Sequence, residues 1–155
     1  MLQRKQLSKE QTIQKLKQYC AYQERCHSEV REKLFQLGVR RSDHDELIAT
    51  LIEQNYLNEE RFAIAYARGK FRMNQWGKIK IAAELKKRRI SEYLVKKAVK
   101  QIDDKEYLQT LKKLVAKYNA SSKNKPELIR KKRTTDHLLQ KGFEWGLVSE
   151  LVQKN

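Results

Sequence analysis

The 155-residue chain carries 35 lysines and arginines against 19 acidic side chains, a net charge of +16, with 35% charged and 39% apolar residues. That apolar share is too small for one large core and points to one to three small units. It holds no run of about 18 apolar residues, and the opening MLQRKQLSKEQ lacks the apolar stretch of a secretory signal, so a cytoplasmic protein with no membrane contact is expected.

One proline, five glycines and long runs of Lys, Glu, Gln, Leu and Ala make this an all-α sequence. A first helix begins after Ser8, whose spacing to Gln11 is that of a capping box, and runs to about Tyr22 with Ile13, Leu16 and Cys20 on one face. The second begins near Ser28, carries Val30, Leu34 and Leu37, and stops at Gly38, which suits the left-handed residue that closes a helix. Ser42 or Asp43 caps a third, with Leu47, Ile48, Leu51 and Ile52 inward. Asn58 caps a fourth, on which Phe62, Tyr66, Gly69 and Met73 form a stripe. Helices from about Trp76 to Arg88 and from Ser91 to Ile102 follow, with Ile81, Leu85, Leu94, Ala98 and Ile102 as core. A seventh opens at Asp103 or Asp104 and continues to about Asn119. After a polar loop, Pro126 sits in a first helical turn, and the last two helices end at Gly142 and near Gln153.

Sliding the numbering aligns these elements. Adding 51 carries Leu34, Val39, Leu47 and Leu51 onto Leu85, Ile90, Ala98 and Ile102, and Tyr56-Leu57 onto Tyr107-Leu108; adding 53 carries Leu85, Ile90, Leu94 and Ala98 onto Leu138, Phe143, Leu147 and Leu151. A period kept in apolar register marks a tandem array. The fold expected is three tandem three-helix repeats in an elongated, curved array, with repeats at 1–57, 58–102 and 103–155, the second strongly basic. Trp76 and Trp145, near helix starts, are expected to pack into joints between repeats.

Charge is unevenly spread. Residues 1–65 hold eleven basic and ten acidic side chains, whereas 66–100 hold twelve basic against two acidic, and 123–133 six against one. Arg61, Arg68 and Arg72 share a helix face, as do Arg130, Arg133, His137 and Lys141. Like charges stacked this way repel unless something anionic covers them, so a polyanion or an acidic protein groove is favoured over a merely solvated face.

Several chemistries are missing. The chain has no glycine-rich phosphate loop, no His-Glu-x-x-His helix and no paired Cys-x-x-Cys knuckles. Cys20 and Cys26 fit reduced thiols better than a disulfide framework, and with His27 they would still need His44 or His137 to complete a metal site. Asp43, Asp45, Glu46, Asp103 and Asp104 stand at helix starts, where carboxylates complement the helix dipole. No active site, metal or cofactor is expected.

Two strings resemble a known family. Tyr56-Leu57-Asn58-Glu59-Glu60-Arg61-Phe62-Ala63, then Ala67-Arg68-Gly69-Lys70 and Trp76-Gly77-Lys78-Ile79-Lys80-Ile81 through Glu84-Leu85-Lys86, Arg88 and Ile90, closely resembles the core of the RecX family. Arg130-Lys131-Lys132-Arg133 through Leu138-Leu139, Lys141-Gly142-Phe143 is similar to that family's third repeat. The resemblance implies a curved array of three-helix repeats lying in the groove of the RecA filament on single-stranded DNA and limiting its activity in recombination, DNA repair and the SOS response. It implies a monomer with no cofactor and no catalysis, touching single-stranded or double-stranded DNA. The family's Tyr-Leu-x-Asp-Glu pattern reads Tyr-Leu-Asn58-Glu59-Glu60 here, and asparagine keeps the cap. The surface expected to meet RecA or DNA comprises Arg61, Arg68, Lys70, Arg72, Lys78, Lys80, Lys86, Lys87, Arg88, Arg130, Lys131 and Arg133. A general nucleic-acid-binding helical protein without a RecA role is the alternative. It is weakened because no helix carries base-reading Asn, Gln and Arg at its N-terminal end.

Overall fold

The computed structural model describes residues 6–154, so the first five residues of the opening segment lie outside it. Among the described residues there are nine α-helices and no strand: α1 (Lys9–Tyr22), α2 (His27–Gln36), α3 (His44–Glu53), α4 (Glu59–Asn74), α5 (Lys78–Lys87), α6 (Glu92–Lys100), α7 (Asp104–Ser121), α8 (Glu127–Gln140) and α9 (Trp145–Gln153), with a single 3-10 turn at Arg41–Asp43. The closest helix packing falls within α1–α3, α4–α6 and α7–α9. The accessible surface is 10700 Å², against about 8,200 Å² for a compact protein of this mass, as an elongated arrangement of small helical groups requires.

Local sequence accounts for the helix starts. Ser8 and Gln11 form the capping box. Asn58 Oδ1 accepts the Arg61 N–H at 2.9 Å, Ser91 Oγ that of Leu94 at 3.3 Å and Asp103 Oδ2 that of Glu106 at 2.9 Å. Each satisfies a donor that the first helical turn leaves unpaired. Two starts differ from expectation in detail. Asp43 is the N-cap of α3, as expected, but makes no side-chain capping bond; the 3-10 turn already shapes the entry and the carboxylate faces Arg40 at 3.6 Å. Pro126 stands at the cap just before α8 and not inside its first turn.

The helix ends carry the repeat more exactly in register than the cores do. Val39 donates to Leu34 O at 3.0 Å, Ile90 to Leu85 O at 3.2 Å and Phe143 to Leu138 O at 3.1 Å. The residue before each donor is left-handed: Gly38 at φ 77°, Arg89 at 61° and Gly142 at 97°. This closing turn wants glycine, and the second group puts an arginine there. Arg89→Gly is therefore expected to raise stability by about 1 kcal/mol, since a left-handed side chain crowds its own backbone. A urea midpoint that stays put or falls would show the turn to be unstrained.

The core has two parts. One gathers Leu16, Cys20, Val30, Leu34, Leu47, Ile48, Leu51 and Leu57 within α1–α3 and the turn after them. The other is continuous from Phe62 to Val152, so α4–α6 and α7–α9 share one interior, which Cys26 joins from the start of α2. Several side chains expected inside are out: Met73 is 85% exposed, Ile52 46% and Trp145 66%. On α4 the buried stripe is Phe62, Ala63, Ala67 and Phe71, one position round from the expected one, and on α6 Val95 is buried while Leu94 is only half-buried.

The groups meet in two different ways. Between the first and second, side chains make the joint: Arg61 Nε reaches Glu24 at 2.6 Å, the His27 N–H donates to Glu59 at 3.1 Å, and Ser28 Oγ donates to Arg88 O at 3.3 Å. Between the second and third the joint is main chain. Gly77 N–H donates to Lys141 O at 2.8 Å and Ile79 N–H to Gly142 O at 2.9 Å.

Candidate basic interface

The backbone seam at Gly77 and Gly142 positions the most concentrated charge on the molecule. A Cβ on Gly77 would run into the backbone of Gly142 and Phe143, and one on Gly142 would lie 2.6 Å from Lys80 N. Only two glycines permit this approach, and it brings the start of α5 against the turn after α8. Lys80 and Lys141 thereby arrive from different helical groups at one place. The Lys141 ammonium folds back to donate to Asn74 O at 3.2 Å. Burial, followed by the charges of Lys117 and Lys80, pushes its pKa below the ordinary lysine value.

Trp76 lies in the same seam. Lys80 Nζ stands 4.5 Å and Lys70 Nζ 5.0 Å from its ring centroid. Tyr66 meets Trp76 edge-on at 6.5 Å and is itself covered by Arg88 at 4.8 Å. The aromatic faces thus hold Lys70 and Lys80 in place with no carboxylate to neutralise them. Trp76 is half-buried against the interior that the second and third groups share, with its ring contacts to Tyr66, Lys70 and Lys80 of its own group, whereas Trp145 is exposed.

The twelve side chains expected to form the binding surface divide. Arg61 belongs to the first joint, clamped by Glu24 and by Asn55, whose backbone carbonyl it reaches at 3.1 Å. Arg72 pairs with Glu106 at 3.3 Å, Lys78 with Asp104 at 3.4 Å, and Lys131 with Glu127 at 3.1 Å. Lys87 and Arg88 both reach Glu84, and Lys87, followed by Arg88, holds that carboxylate below its usual pKa. Arg130 is bound to Asn119 at 2.8 Å. Arg68, Lys70, Lys80, Lys86 and Arg133 have no carboxylate partner within 4.0 Å among the described residues. With Arg130, whose partners Asn119 and the Lys125 carbonyl carry no charge, these are the part of the expected surface left to face an anion. Trp76 and Lys117 were not among the expected contacts, nor was Lys141, although its place beside Gly142 in the third string was visible.

Tyr107 braces this surface from below. Its ring lies between Phe71 at 5.6 Å and Phe143 at 5.3 Å. Its hydroxyl accepts the Lys78 N–H at 3.0 Å and donates to Glu144. Burial and that carboxylate push the phenol well above its ordinary pKa. Cys20 and Cys26 are buried free thiols in different cores, each with its pKa raised mainly by burial. Among the described residues no helix is long and apolar enough to cross a membrane.

Comparison with known proteins locates the same two groups. The family description "RecX, second three-helix domain" matches residues 58–99, and "RecX, third three-helix domain" matches 104–152. The Regulatory protein RecX of Bacillus cytotoxicus is 27% identical over 136 residues, 88% of this chain, and that of Pelodictyon phaeoclathratiforme is 28% identical over 131 residues, 83% of it. The chain spans about half of the Bacillus protein and 80% of the Pelodictyon one. A crystal structure of regulatory protein RecX superimposes with a TM-score of 0.84 at 21% identity, covering all of this chain and 83% of the other. RecX from Lactobacillus salivarius gives 0.83 at 23%, covering 94% of each. The solved structures share the fold, and the two domain matches together cover more than half of the sequence with the basic seam between them: the chain belongs to the RecX family.

Proposed function

We propose that the protein is a cytoplasmic, monomeric regulator that binds the RecA filament on single-stranded DNA, lying in its groove and restraining its activity. It acts by occupancy and not by catalysis. The repeats at 1–57, 58–102 and 103–155 are the docking units, with the second and third making most of the contact. The observation that carries this reading is the concentration of carboxylate-free cations on the two groups that match RecX domains, where the first group is nearly neutral. Charges already matched by a neighbour contribute little to a partner, whereas unmatched ones raise both encounter rate and affinity for an anionic groove.

Reversing Arg68, Lys86 and Arg133 together to glutamate is expected to abolish the effect on RecA ATPase and strand exchange. Reversing Arg72, Lys87 and Lys131, which have internal partners, should reduce it less, since part of their field is already cancelled. Reversing Lys9, Lys15 and Lys17 in the first group should do least. All nine positions lie off the buried stripes, so circular dichroism should be unchanged. Equal losses from all three variants would reject the second and third groups as the docking face.

A further inference from the structure

We infer that the seam between the second and third groups is a phosphate-binding site that takes the backbone of single-stranded DNA directly, through Lys70 and Lys80 over Trp76 and through Lys141 and Lys117 on the facing group. The inference rests on the proposed reading of the basic face as a docking surface for a nucleoprotein filament, and assigns one part of that face to the nucleic acid. Four observations converge. The lysines come from α4, α5, α7 and the turn after α8, so sequence neighbourhood does not explain their meeting. None has a carboxylate within 4.0 Å among the described residues. Two of them stand over the Trp76 ring, at 4.5 and 5.0 Å. Lys141 is tied to the opposite group at both ends, through its carbonyl to Gly77 and through its ammonium to Asn74. The seam thus holds Lys141 in place before any ligand arrives, which lowers the ordering cost of binding.

The chemistry favours phosphate over a protein carboxylate. Ammonium groups meet phosphates as point charges with no fixed fork geometry, so several unmatched lysines spread along a seam suit the evenly repeated charges of a phosphodiester backbone. A cleft elsewhere on the molecule offers the contrast. Between the first and second groups, Arg31, Arg41, Arg88 and Arg89 are interleaved with Glu32, Asp45 and Glu59, a mixed lining that would repel a continuous run of phosphates. None of the four seam lysines is paired with a carboxylate among the described residues, and the acids nearby are taken up by other groups, Asp104 by Lys78 and Glu144 by Tyr107. Like charges that raise one another's free energy are relieved by an anion, and a phosphate placed here would offset the repulsion from Lys117 and Lys80 that adds to the effect of burial at Lys141.

The test needs no recombinase, so its outcome is separate from that of the ATPase assay. Fluorescein-labelled oligothymidylate is titrated with the full chain and followed by anisotropy across a salt series. The triple change Lys80→Gln, Lys117→Gln, Lys141→Gln should weaken binding at least tenfold. It should also make the slope of log affinity against log salt shallower by about 2, as the loss of three single-strand phosphate contacts requires. Lys112→Gln, Lys113→Gln, Lys125→Gln removes the same charge from exposed positions and should leave the slope within error. In a Trp145→Phe background, emission from Trp76 should change on adding the oligonucleotide. Three results would overturn the site: equal weakening by the two triple variants, no binding by the unaltered chain at low salt, or displacement of the oligonucleotide by polyglutamate at matched charge. Circular dichroism and urea midpoints establish that both triple variants are folded.

Discussion

Gly142→Ala is expected to destabilise the protein by about 3 kcal/mol, combining the strain of a side chain in a left-handed turn with an overpacked contact. The backbone there is at φ 97°, and the added Cβ would meet Lys80 at its N, Cα and Cβ. Helix α5 would have to move away. That would stretch the bonds from Gly77 to Lys141 O and from Ile79 to Gly142 O and open the interior that the second and third groups share. Gly69→Ala provides the control. Nothing lies within 4 Å of the position a Cβ would take there, and the residue is inside α4, so alanine should stabilise by about 0.5 to 1 kcal/mol. Urea denaturation of both variants reads the difference directly. A Gly142→Ala midpoint equal to that of the unaltered chain would mean that the seam closes without the glycine.

Tyr107→Phe should cost about 2 to 3 kcal/mol although it removes a single oxygen. The side chain is 3% exposed, and without its hydroxyl both the Lys78 N–H at the start of α5 and the Glu144 carboxylate at the start of α9 lose a buried partner. The same hydroxyl gives a pH signature. Its folded pKa is raised by burial and by Glu144, while the unfolded phenol ionises near pH 10. The unfolded state therefore sheds this proton first, and stability contributed by Tyr107 is full below about pH 10 and is lost as pH rises above it. The unaltered chain should lose stability more steeply than Tyr107→Phe between about pH 10 and 11. Parallel profiles would show that the hydroxyl is not held in its protonated form.

The helical triplets were legible because their signals are local. Ser8, Asn58, Ser91 and Asp103 cap the helices they precede, and Leu34, Leu85 and Leu138, which the period aligns, are all fully buried. Periodicity was a poorer guide to which face turns inward. The stripe through Met73 and the one through Phe71 are both apolar on α4, and the choice between them is made by α6 and by Tyr107, to which Phe71 packs. Trp145 showed no local difference from Trp76; the seam lysines make the difference, because they cover only Trp76. The basic surface was legible as a total and as a region. Sequence could not distinguish Arg68, left open, from Arg72, matched by Glu106, since that carboxylate comes from a helix 34 residues away. Lys141 escaped for the same reason: its proximity to Lys80 exists only once Gly77 and Gly142 have met.

The two joints also differ in what substitution can do to them. The first is held by a side-chain pair, Glu24 with Arg61, so changing one partner calls for a matching change in the other. The second is written in peptide groups and asks of its sequence only two absent Cβ atoms. Side chains around it are free to drift while the angle between the second and third groups is kept, but an inserted residue on either strand of the crossing would shift every bond in it. Amide exchange offers a direct view of this asymmetry. The protons on Gly77 and Ile79 are released only when the groups part, so their exchange rates measure the frequency with which the array itself comes undone.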